Sequence, residues 1–322
     1  MIESRESRVE TTEGTKTLNP RTVQGTPPSE IAGAVEAEIR RSIGRAVKHG
    51  RIRQSLAYWC LNAPPWHWDI ERICETAVGL GCESVELVPP ELWPTLRKHG
   101  LACALAHNGM PDPVFQKGLN NPRYREEVIA RTKHAIDQAA DFAVPNVIAF
   151  TGYKWRDAED PTSGEISLGD GAANSVKALS ELGAYARTKN VTLCLEHLNT
   201  RETSDPMKGH PGYQGDDIDY CADIVKQVDS DSVKLLFDIY HVQIMSGDVI
   251  RRLQQYRDLI GHVHTAGNPG RGELDDHQEI NYPAIMRTLL KIGYKGYVGQ
   301  EFIPTREPIL GLTQAVSLCD VA

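Results

Sequence analysis

No stretch of the chain approaches the ~18 consecutive apolar residues of a membrane span. The first thirty residues, which begin MIESRESRVETTEGTKTLNP, hold no apolar segment of the kind a secretory signal needs. Neither a membrane protein nor an exported one is expected. Basic charge is short as well: 35 Lys and Arg face 43 Asp and Glu, for a formal charge of −8. A surface built to neutralise many phosphates needs the opposite balance, so nucleic acid is not expected as a partner. Cysteine is neither abundant nor patterned. The seven Cys (60, 74, 82, 103, 194, 221 and 319) never form a CxxC, so neither a disulfide framework nor a structural zinc site is signalled. They read as reduced core thiols of a cytoplasmic protein. Cys194, inside an apolar run, is read as packing rather than as a nucleophile.

What is present is an ordinary globular composition, 40% hydrophobic over 322 residues, enough for one large domain or two modest ones. Residues 1 to 28 are polar and Pro-containing, and read as an arm that cannot bury enough surface to order itself. Ile31, Val35, Ile39, Ile43 and Val47 then recur every four residues up to Gly50, which predicts one amphipathic helix. That helix either closes one end of the main domain or forms a subunit contact in a homo-oligomer. Residues 1–50 are thus set apart from a domain over 51–322.

From Arg53 onward short β-favouring runs alternate with helical patterns. Expected strands are 53–58, 84–88, 102–106, 146–150, 192–196, 234–238, 262–266 and 297–301, with helices such as 69–79, 123–142, 172–189, 216–228 and 283–291 between them. Eight βα alternations over roughly 250 residues predict a single α/β domain, a (β/α)8 TIM barrel. A doubly wound open sheet competes, but no Gly-rich phosphate fingerprint follows the first strand.

Reactive groups of such a barrel lie where strands end. The last four expected strands end in Glu196 (VTLCLEHLN), Asp238 (VKLLFDIYH), His264 (IGHVHTAG) and Glu301 (YVGQEF). Parity supports a shared direction: Glu196 falls on the face of Thr192 and Cys194, and Glu301 on that of Gly299. Any one acid at a strand end is as readily a helix cap or a salt-bridge partner. Four on four successive strands is different, because three carboxylates and an imidazole converging at one mouth repel one another unless a cation sits among them. Mixed oxygen and nitrogen donors suit Mn²⁺, Mg²⁺ or Co²⁺ with positions open for two substrate oxygens.

The runs FDIYHVQIMSGD, IGHVHTAGNPGRGELDDHQEINYP and GYVGQEFIP resemble the hydroxypyruvate isomerases and their relatives in the xylose isomerase-like barrel superfamily, which includes the ketose 3-epimerases. The resemblance is densest from Val191 to Pro304 and traceable from Arg53. It implies that Glu196, Asp238, His264 and Glu301 are metal ligands, with Glu196 and Glu301 also the acid/base pair on opposite faces of the substrate. Hydroxypyruvate isomerases resembling this chain carry Gln where His264 stands, and the ketose 3-epimerases carry His. This leaves the exact substrate open. The stretch Thr200 to His210 is longer than its counterpart in the isomerases; it either reshapes the pocket or is a surface insertion.

Secondary candidates surround this set. His241, three residues past Asp238, resembles the family histidine that hydrogen-bonds a substrate oxygen. Arg271 in NPGRGE either holds a carboxylate or a hydroxyl pair with its planar donor fork or is an exposed loop arginine. His107, in AHNG, is expected at the mouth. His262 shares the parity of His264 but lies deeper, as a buried, hydrogen-bonded residue. Glu86 orients another group or forms an ion pair, and Asn281 caps the last long helix.

The expected function is a divalent-metal-dependent isomerase of a small hydroxy-carbonyl compound, hydroxypyruvate or a sugar, working through an enediolate. A ketose 3-epimerase or a keto-sugar lyase would use the same site. A metal-dependent phosphodiesterase, like the related barrel endonucleases, would want more histidines and a basic groove. A non-catalytic sugar-binding barrel would tolerate the loss of a carboxylate, and all are present.

Overall fold

The computed structural model describes residues 44–322. Parallel strands covered on both faces read as continuous apolar runs, and NVIAF, TLCLE and VKLLFD do become strands of that kind. In chain order the strands are β1 (Arg53–Ala57), β2 (Ser84–Glu86), β3 (Asn146–Phe150), β4 (Trp155–Asp157), β5 (Asp160–Glu165), β6 (Thr192–Glu196), β7 (Val233–Asp238), β8 (Ile260–Thr265) and β9 (Tyr297–Gln300). Seven form one parallel sheet in the order β2-β1-β9-β8-β7-β6-β3, while β4 and β5 pair separately as an antiparallel hairpin. The main helices over the outside are Ile70–Leu80, Arg125–Phe142, Leu168–Thr188, Ile218–Val228, Tyr282–Lys291 and Pro308–Cys319. Each of the first, third, fourth and fifth is capped by a side chain, Asp69, Ser167, Asp217 and Asn281 respectively, that accepts a first-turn N–H.

Two expectations are corrected. Residues 102–106 are not a regular strand; they touch their neighbours through single bridges, Ser84 with Ala102 and Ala106 with Val147. The segment still joins β2 to β3, since Leu87 N donates to Leu105 O at 2.8 Å and Ile148 N to Ala106 O at 3.0 Å. Its sequence, ACALA, is poor in the β-branched and aromatic residues that fit a pleated surface, which accounts for the irregularity. The ring is therefore closed by seven regular strands and one irregular segment.

The second correction concerns the amino-terminal helix. The arm, residues 1–28, and the helix positions up to Ile43 lie outside the described residues, but 44–50 are described and are not helical. Gly44 takes a positive φ of 61°. The N–H groups of Ala46 and Val47 both donate to Leu80 O at 3.0 Å, and those of Lys48, His49 and Gly50 to the Asp320 carboxylate. Hydrogen bonds to distant segments replace the helical ones. All seven Cys are free and buried, and among the described residues no helix is long and apolar enough to cross a membrane.

Candidate active site

Strand register assembles the site. Asp238 of β7 lies beside His264 of β8, and His264 beside Gly299 of β9. Glu196 ends β6, and Glu301 follows β9 directly. One ligand atom each from Glu196, Asp238, His264 and Glu301 falls within 4.8 Å of the others, and all four residues are buried. These are the four strand ends singled out from the sequence. Glu196 Oε1 and His264 Nδ1 are buried without a hydrogen-bond partner, although His264 Nδ1 is only 2.9 Å from Glu301 Oε2 and 3.6 Å from Glu196 Oε1. Orphaned atoms of this type in a ring of anionic oxygens and an imidazole are what a divalent cation would satisfy.

The imidazole is aimed from behind. Its Nε2 lies 2.7 Å from Glu86 Oε1, which also meets His262 Nε2 at 3.0 Å, and all three side chains are fully buried. Glu86 thereby holds the His264 ring with Nδ1 turned to the cluster, the arrangement that a carboxylate behind a ligand histidine provides. Gly299 makes room for it: a Cβ there would stand 2.2 Å from Glu86 Oε1 and 2.9 Å from His264 Cδ2. Glu86, His262 and His264 also form a compact group, but their facing atoms are already bonded to one another.

Asp238 divides its two oxygens. Oδ1 accepts from Tyr240 N at 2.7 Å and His241 N at 3.2 Å, capping helix Ile239–Met245, which leaves Oδ2 to the cluster. His241 is buried beneath it, with Nδ1 accepting from Asn199 N at 3.0 Å and Nε2 without a partner, 3.7 Å from Asp238 Oδ2. Arg271, at a positive φ of 55°, is buried and donates to Glu301 Oε2 and to Met207 O, both at 2.6 Å. His107 lines the cavity above the cluster and its Nε2 meets Leu87 O at 3.0 Å.

Four residues at the site, Trp59, Asn199, Met207 and His210, were not singled out individually from the sequence. Trp59 donates from Nε1 to Glu301 Oε1 at 2.9 Å. Asn199 accepts from His210 N at 2.8 Å and donates to Lys208 O at 2.8 Å, folding the stretch 200–210 over the mouth. That stretch shapes the pocket, because Met207 and His210 both line it. The length of this insertion was the one available signal.

Electrostatics separate the two glutamates. Burial, then the Glu301 and Asp238 charges, push Glu196 up to about 7, with His264 opposing. Burial would raise Glu301 too, but the His264 and Arg271 cations outweigh it and hold that carboxyl at about 2. Burial, then Glu301, raises Asp238 against the pull of Arg271. Two carboxyls whose surroundings drive them apart are the usual setting for acid and base roles. Cys194, by contrast, is pushed up by burial to about 12 and is no nucleophile.

A family model described as xylose isomerase-like TIM barrel matches residues 69–317. The chain belongs to that family. Among similar proteins, a putative hydroxypyruvate isomerase of Homo sapiens is 36% identical over 126 residues, 39% of this chain and 43% of that protein. A 2-oxo-tetronate isomerase of Cupriavidus necator is 36% identical over 127 residues, 39% of this chain and 46% of that protein. The matched stretch thus spans less than half the length of either curated relative. The crystal structure of an AP endonuclease, family 2, from Brucella melitensis superposes with a TM-score of 0.69 at 23% identity, over 81% of this chain and 97% of that one. That likeness is one of fold.

Proposed function

We propose that this family member is a divalent-metal-dependent isomerase that interconverts hydroxy-carbonyl compounds, hydroxypyruvate and tartronate semialdehyde or a small sugar. The observation that carries it is the four-residue cluster, with its ligand atoms within 4.8 Å and Glu196 Oε1 and His264 Nδ1 left without partners. Glu196, Asp238, His264 and Glu301 would hold Mn²⁺, Mg²⁺ or Co²⁺. When bound, such a cation supplies the positive charge that makes a proton on carbon beside a carbonyl acidic enough for a carboxylate to remove.

The chain's own residues do the rest. Glu196 and Glu301 are the acid/base pair: one takes the proton from carbon, and the proton returns to the neighbouring carbon for isomerisation. Return to the same carbon from the other face gives epimerisation, and His264, resembling the epimerase pattern at that position, makes a ketose 3-epimerase the second reading. Trp59 and Arg271 fix both oxygens of Glu301. Arg271 and His241 are assigned to the substrate's oxygens, and His107, its Nε2 on Leu87 O, to the cavity wall beside the substrate. Burial around the pair excludes bulk water from the transfer. A cytoplasmic location accords with the seven buried free thiols.

Incubation with Mn²⁺ in D2O, with hydroxypyruvate, tartronate semialdehyde and a panel of ketoses followed by NMR, tests this. Deuterium should enter a carbon-bound position of at least one compound. Absence of exchange in all of them removes both the isomerase and the epimerase.

A further inference from the structure

The cavity over the cluster encloses about 500 Å³, a size that takes ligands well beyond a three-carbon acid. Its chemistry is lopsided. Glu196, Glu301 and Arg271 are held together at the four-residue cluster, and much of the remaining lining is apolar: Leu87, Val114, Phe115, Ile148, Phe150 and Leu198. That apolar wall is part of the interior: Leu87, Ile148, Phe150 and Leu198 belong to one buried apolar cluster, and Val114 and Phe115 pack on it. Phe115 is set edge-on to Phe150 at 6.2 Å between ring centres, and the centre of the His210 ring lies 4.2 Å from that of Phe115. Such a wall is preformed and does not have to collapse around a ligand.

Polar groups along that wall are few or already engaged. His107 Nε2 is bonded to Leu87 O, and Asp112 is exposed at the rim. His210 is the exception, with Nδ1 unpartnered. A polyhydroxylated chain lying there would bury hydroxyls with nothing to bond, at a cost for each one. An aryl group would find aromatic edges and aliphatic carbon, and would release water from both.

We infer that the site takes a hydroxy-carbonyl compound whose reacting end carries an aryl-bearing arm, seated against the wall that Leu87, Phe115, Ile148 and Phe150 form together. This rests on the isomerase reading for the reacting end and on the cavity alone for the arm.

Three probes of one reacting type decide it: hydroxyacetone, 1-hydroxy-4-phenylbutan-2-one and D-fructose, each followed in D2O with Mn²⁺ for exchange at the hydroxymethyl carbon. There a carbon-bound proton leaves to a carboxylate and a deuteron returns to the same carbon. The phenyl compound should exchange with a kcat/KM roughly ten- to a hundredfold above that of the other two, the worth of burying one aromatic side group. Phe115→Ala should narrow that ratio, and Val114→Asn reports on the same wall should the first variant not fold. Equal or better exchange of hydroxyacetone or D-fructose overturns the arm while sparing the isomerase. If none of the three exchanges, the isomerase reading fails, and calorimetric binding to the Mn²⁺-loaded protein decides the arm separately. Tenfold tighter binding of the phenyl compound than of hydroxyacetone then upholds it, and equal binding overturns it.

Discussion

At the residue scale the centre depends on side chains with two duties. Glu86 does no chemistry of its own but accepts from His264 and His262 with one oxygen, 2.7 Å and 3.0 Å away, so it sets which imidazole nitrogen is presented to the cluster. Glu86→Gln keeps the volume and removes the charge. It should weaken Mn²⁺ binding roughly 10- to 100-fold by calorimetry and alter the His264 tautomer seen by ¹⁵N NMR of the metal-free protein; unchanged affinity would leave Glu86 a packing residue. Glu301→Gln should slow proton exchange by roughly 10²–10⁴-fold with the fold intact, and near-normal exchange would remove it from the acid/base pair. The four polar residues of the cluster were legible because they fall at the ends of apolar strand runs, where a buried charge has few purposes. Trp59 and His210 were not legible: Trp59 acts through a single N–H offered from just past β1 to Glu301 just past the neighbouring β9, and His210 is brought in by a loop whose path no periodicity encodes.

At the element scale, caps and anchors join fold to site. Asp238 caps helix Ile239–Met245 with one oxygen and faces the cluster with the other. Asp238→Asn retains the cap and relieves like-charge crowding, so the metal-free variant should melt at or above the wild-type temperature. Asp238→Ala loses the cap, about 1 kcal/mol, and melting curves of the two separate the roles. Asp320 anchors residues 48–50 through three backbone N–H groups. Burial opposes its ionisation, but those donors outweigh burial and lower its pKa. A carboxyl lowered on folding stabilises the protein above its unfolded pKa, about 3.9, and that stability disappears as pH falls through the folded value. Asp320→Asn should therefore cost about 2 kcal/mol at neutral pH and progressively less below about pH 4, as chemical denaturation at several pH values would show. A loss that does not depend on pH would contradict the anchor. This segment also marks where periodicity misled. Val47 continues the four-residue spacing, yet Gly44 turns the backbone away, and bonds to Leu80 and Asp320 take the place of helical ones.

At the scale of the whole molecule, the alternation of strand and helix was legible because each parallel strand is buried on both faces and leaves a continuous apolar run. The exception, 102–106, is held by bridges that depend on its neighbours β2 and β3 rather than on its own residues. Closing the ring brings Glu196, Asp238 and Glu301 together in the interior, with Arg271 and His264 beside them. The metal-free barrel thus keeps a knot of charge at its core. A cation that binds only the folded chain should raise stability by about 2.7 kcal/mol at a hundred times its dissociation constant. The melting temperature should rise with Mn²⁺ and fall back with a chelator, and an unchanged melting temperature would count against a resident metal.

The most direct test of the centre is an anomalous-difference map from crystals grown with Mn²⁺. One peak should stand among Glu196, Asp238, His264 and Glu301, within bonding distance of all four and absent in Glu196→Ala crystals. A cluster without density, or manganese held elsewhere, would contradict the metal centre and the isomerase built on it.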